Sequence, residues 1–147
     1  MKTKKLINRA KNILIGVFII GMIVPFTSCA QKIKFMNSSV VPAAQGYIKV
    51  KRDKNKNYVI KLEVMDLADV ERLQTSNVSY VVWMETDQGR TENLGQLNSS
   101  SGFMSKQMKA SLETVSSYKP SKIYITAEEN TNVQFPGDKA ILTTDRF

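Results

Sequence analysis

Gly46-Tyr-Ile-Lys-Val-Lys-Arg52 and Tyr58-Val-Ile-Lys-Leu-Glu-Val-Met65 stand five residues apart, and their alternation decides the reading of the chain. In the first run Ile48 and Val50 alternate with Tyr47, Lys49 and Lys51. In the second, Tyr58, Ile60, Leu62 and Val64 share a face, with Lys61 and Glu63 opposite. Side chains on a strand point alternately to its two faces, so this period of two marks half-buried β-strands. Asp53-Lys-Asn-Lys-Asn57 supplies the Asp and Asn side chains that close turns. The two runs are predicted to form a hairpin.

Toward the C-terminus the same pattern repeats in short pieces. Asp66-Leu-Ala-Asp-Val-Glu-Arg-Leu73 spaces Leu67, Val70 and Leu73 by three and reads as a crossover loop with one helical turn. Ser79-Tyr-Val-Val-Trp-Met-Glu85 is apolar on both faces, as a central strand is. Thr86-Asp-Gln-Gly89 is a turn, and Arg90–Leu97 a return strand. Asn98-Ser-Ser-Ser-Gly102 reads as a polar loop, Phe103–Lys109 as a short strand, and Lys122–Glu128 as an alternating strand. Phe135-Pro-Gly-Asp-Lys139 is a turn before a last strand at Ala140–Thr144. About seven short strands without a long helix predict an antiparallel, immunoglobulin-like β-sandwich over residues 46–147. Tyr80, Val82, Trp83, Ile123 and Ile125 are its expected core.

The order Tyr80-Val-Val-Trp83, Gly89, Asn93-Leu-Gly-Gln-Leu97, Ile123-Tyr-Ile-Thr-Ala-Glu128, Pro136-Gly137 and Ala140-Ile-Leu142 resembles the extracytoplasmic C-terminal domain of anti-sigma-K-type factors. The likeness covers about Ser79 to Thr144 and implies an immunoglobulin-like sandwich. Such factors also carry a cytoplasmic sigma-binding domain and a spanning helix, neither of which is recognisable in this sequence, so direct sigma binding is not expected.

At the N-terminus, Met1-Lys-Thr-Lys-Lys-Leu-Ile-Asn-Arg-Ala-Lys11 carries five positive charges and no acid. The uncharged stretch Ile13–Phe26 follows. As a helix it is about 21 Å long, short of the ~30 Å bilayer core, which marks a secretory leader over residues 1–28. Pro25-Phe26-Thr27-Ser28-Cys29 resembles the lipobox of bacterial lipoproteins. That resemblance implies cleavage before Cys29 and a thioether-linked diacylglycerol on it. Thr27-Ser28 departs from the commoner order of an aliphatic then a small residue. Ala30 at the second position of the processed chain implies outer-membrane sorting, with the body facing the periplasm. Residues 29–45, with Ser38-Ser39 and Pro42, read as a flexible tether.

Of 21 Lys and Arg, five belong to the leader, leaving 16 against 13 acids and lowering the net charge from +8 to about +3. A nucleic-acid partner is therefore not expected. Lys32, Lys34, Lys49, Lys51 and Arg52 all precede the first acid, Asp53. They read either as an attraction toward an anionic membrane or as a solvated strand face that blocks edge aggregation.

With no histidine and one cysteine, the chain has no Ser-His-Asp triad, no imidazole base and no internal disulfide. Ser116-Ser-Tyr-Lys119 fits the Ser-x-x-Lys nucleophile pattern, but Pro120 disfavours the helix that would put both on one face. Asp66, Asp69 and Glu71 lack calcium-loop spacing. Glu128 and Glu129 are adjacent, hence on opposite faces of a strand, and read as solvated loop charges. Trp83, Tyr80, Tyr58 and Tyr124 could form a glycan-binding platform only if exposed side by side. The sequence thus predicts a non-catalytic, lipid-anchored module without cofactor or metal, meeting a protein partner in the envelope. The alternative is a periplasmic module for glycans or small ligands.

Overall fold

The described residues form nine strands: β1 (Gln31–Lys34), β2 (Gln45–Arg52), β3 (Tyr58–Met65), β4 (Ser79–Thr86), β5 (Thr91–Gln96), β6 (Asn98–Ser100), β7 (Lys109–Ser116), β8 (Pro120–Glu128) and β9 (Ala140–Thr143). The computed structural model describes residues 30–70, 73, 79–100 and 109–147. The leader, Cys29, Glu71 and the strand expected at residues 103–108 lie outside the described residues.

The strands form two sheets, ordered β1-β2-β3-β7-β6 and β5-β4-β8-β9, with antiparallel pairing throughout. β2-β3-β7-β6 take the places of the immunoglobulin A-B-E-D sheet, and β5-β4-β8-β9 those of C′-C-F-G. Strand β1 is an addition at the outer edge of β2. Between the sheets lies one cluster of buried side chains, among them Ile48, Ile60, Leu62 and Val64 from one sheet and Tyr80, Val82, Met84, Ile123, Ile125 and Leu142 from the other. Four of the five expected core residues are in that cluster.

The predicted hairpin is β2–β3, in register from Gln45↔Met65 to Arg52↔Tyr58. Its turn is organised by Asp53, whose carboxylate accepts the backbone N–H groups of Asn55 and Asn57, each at 2.8 Å. Lys56 takes the left-handed conformation (φ 68°) that lets five residues reverse the chain. In the β3–β4 crossover, one turn is closed by the Leu73 N–H on the Val70 carbonyl at 3.1 Å, and Leu67 is buried.

The structure departs from the sequence reading in three places. Residues 31–45 are part of the sandwich, where a flexible tether was expected. β1 pairs with β2 from Gln31↔Val50 to Lys34↔Tyr47, and the chain then crosses to the other sheet. There the Met36 N–H donates to the Thr143 carbonyl at 2.8 Å, and Ser38 Oγ to the carbonyl of Ile141 at 2.5 Å. Val41 and Ala44 are buried beside them. These apolar residues show no period because they belong to a chain crossing between sheets, not to a strand. The second correction is β7, which the sequence does not announce: its inward positions are Ala110, Leu112 and Thr114, opposite Val64, Leu62 and Ile60. Third, the polar loop begins instead as the edge strand β6, paired to β7 through Asn98↔Ser111.

Candidate functional site

The reactive-looking patterns of the sequence are used structurally. Ser116 ends β7 and Lys119 sits in the turn before β8, so no helix start brings the pair onto one face. The Ser116 hydroxyl instead accepts the Tyr118 N–H at 3.1 Å and closes that turn. Among the described residues no three His, Cys, Asp or Glu side chains converge as a metal site requires.

Glu128 was expected in solvent and is 7% exposed. Its carboxylate accepts the Thr126 hydroxyl in a short hydrogen bond and the Gly137 N–H at 2.8 Å. Thr126 Oγ1 in turn accepts the indole N–H of Trp83 at 2.8 Å. The chain from Trp83 through Thr126 to Glu128 is therefore satisfied at every step, as a buried charge requires. It lies on the face of the four-stranded sheet that points away from the core. Tyr80, Val82 and Met84 face inward, so alternation puts Val81 and Trp83 on the other side. Trp83 is fully buried all the same, but not in the intersheet core where it was expected. Residues 129–139 come back over this face. Asn93 Nδ2 donates to the carbonyls of Thr131 at 3.1 Å and Val133 at 3.0 Å, and Gly137 donates to Glu128. A side chain at Gly137 would press within 3.3 Å of the Glu128 carboxylate.

The aromatic platform does not form. Trp83 is covered, and Tyr80 is buried, with its hydroxyl donating to the Ala68 carbonyl at 2.9 Å. Burial, helped by the negative charge of Asp69, pushes the Tyr80 phenol up to about 12. Burial likewise raises Tyr124. Tyr58 is half-buried, with the Arg52 guanidinium 5.7 Å from its ring centre.

The outward face of the five-stranded sheet is different: it is open and lysine-rich. Register places Lys32 opposite Lys49, Lys49 opposite Lys61, and Lys61 opposite Glu113, in one row across four strands. The next row is Lys34, Tyr47, Glu63 and Ser111. Lys51 and Val59 stand on one side of these rows, Met65 and Lys109 on the other. All six lysines are exposed. The two acids are already engaged: Glu113 holds Lys61 at 2.9 Å, and Glu63 accepts the Tyr47 hydroxyl at 2.6 Å. That hydrogen bond raises the Tyr47 phenol above its ordinary value. The Lys32 and Lys49 ammonium groups sit 4.1 and 5.2 Å from the centre of the Tyr47 ring, whose negative face attracts both.

Like charges directly opposite each other on neighbouring strands weaken a sheet. A row of three lysines is a local rule broken, and such breaks gather where a protein works. The lysines are plain from the sequence but the row is not, since it needs β1 paired on β2. No protein-family model, curated protein or solved structure matches this chain.

Proposed function

We propose that this protein is a lipid-anchored component of a bacterial envelope, held to its membrane through Cys29, and that its sandwich acts by contact and not by turnover. The outer membrane, with the body facing the periplasm, is the location that Ala30 favours. One observation carries the reading: the only cysteine stands two residues before the first strand, which opens at Gln31. Cleavage before Cys29 would remove no strand of the described fold and leave the lipid beside it. A diacylglycerol with a further acyl chain gives stable anchoring, because each buried CH₂ contributes about 0.8 kcal/mol. The contact surface is the lysine-rich outward face, the broad face of the sandwich that no described loop covers. The glycan-binding alternative has less support, since Trp83 and Tyr80 are not available to a ligand.

The test is metabolic labelling with palmitate in the native host. The protein should take up label and shift from the membrane fraction's processed mass to an unlabelled, unprocessed mass on Cys29→Ala. An intact leader with a free thiol on the purified wild-type protein would overturn the reading.

A further inference from the structure

We infer that the outward face of the five-stranded sheet is a docking surface for the anionic headgroups of a lipid bilayer. The inference rests on the lipid-anchor reading for its geometry and on the lysine grid for its chemistry. Lys32, Lys49 and Lys61 form one row, Lys34 begins the next, and Lys51 and Lys109 flank them. Glu63 and Glu113 are the only acids on these rows, and each is bonded within the face. The face therefore presents an excess of ammonium groups across four neighbouring strands. Such a surface matches an array of phosphates, each lysine in the headgroup layer raising the partition roughly fivefold.

Chain geometry favours a bilayer over an acidic protein as the occupant. β1, which carries Lys32 and Lys34, is the edge strand through which the chain leaves toward Cys29. Two residues of extended chain reach at most about 7 Å, less than the ~8 Å over which charges are felt at physiological salt. With residues 31–45 built into the sandwich, there is no long leash between lipid and body. An anchored molecule thus keeps the β1 edge of this face within reach of headgroups. The opposed lysines, which repel one another in the isolated sheet, gain counter-charges when it docks.

The test uses the full protein, purified with its anchor and reconstituted into vesicles of phosphatidylcholine alone or with about 30% phosphatidylglycerol. A pulse of an amine-acetylating reagent is read by peptide mass spectrometry. Lys32, Lys49, Lys51 and Lys61 should react at least about threefold more slowly on the anionic vesicles, and high salt should erase the difference. Lys119 and Lys139, exposed in other loops, should react equally on both. Lys49→Glu should remove the protection of Lys32 and Lys51. It should also leave the melting temperature unchanged or raise it, because it breaks the row of like charges. Equal labelling on the two vesicles, or equal protection of Lys119 and Lys139, would overturn the docking. So would protection by a polyglutamate peptide without protection by anionic vesicles, which would assign the face to an acidic protein. A failure of the anchor shows separately, as an intact leader in the mass of the same sample.

Discussion

On the five-stranded sheet the outward positions of adjacent strands are Lys32, Lys49 and Lys61; on the four-stranded sheet they include Val81, Trp83, Thr126 and Glu128. Both faces obey the same alternation, and both look away from the same core. The difference lies in what crosses over them. Residues 129–139 return across the second face and are bonded to Asn93 and Glu128, so a tryptophan and a carboxylate can be buried there. Among the described residues no such segment covers the first, and its lysines are exposed. A strand apolar on both sides, such as β4, therefore signals two covered faces and does not by itself say which residue enters which.

The contrast can be broken most forcefully at Trp83. Trp83→Ala should cost about 3–5 kcal/mol in urea unfolding, as deletion of a fully buried aromatic does. A loss near zero would mean that residues 129–139 do not seal the face. Glu128→Gln comes next. It removes the charge that Thr126 and Gly137 hydrogen-bond, and should cost about 1–3 kcal/mol while releasing the Gly137 amide to fast hydrogen exchange. Unchanged exchange at Gly137 would sink the latch. On the open face, Lys61→Ala breaks an ion pair whose partners are 54% and 60% exposed, and should shift stability by no more than about 1 kcal/mol. It also relieves Lys49 of a like-charged neighbour, which pulls the net effect toward zero. A loss above about 2 kcal/mol would show that this face, too, is structurally committed, well beyond what exposed pairs contribute.

Much of the fold was legible because its signals are local. The β2–β3 hairpin declares itself through eight-residue alternation and the Asp53 turn, and β4 and β8 through their apolar runs. β7 was hidden because Ala110 and Thr114 carry little apolar signal at its inward positions. β1 was hidden because four residues hold only two periods. The candidate sites are still less local. Glu128 is buried through a contact with Gly137, nine residues on, and nothing in Ala127-Glu-Glu129 foretells it. The lysine row exists only once β1, β2 and β3 are in register, although the lysines themselves were conspicuous. Composition located the charge, and pairing arranged it.

Trp83 is the only indole in the chain, and it is buried on the sheet face that residues 129–139 cross, not between the sheets. Its intrinsic fluorescence is consequently a gauge of one loop. If that loop lifts before the sheets part, the emission maximum moves to the red while the circular dichroism of the strands still holds its native value. The molecule carries, in the wild-type sequence, a label for an opening that backbone spectroscopy alone would miss.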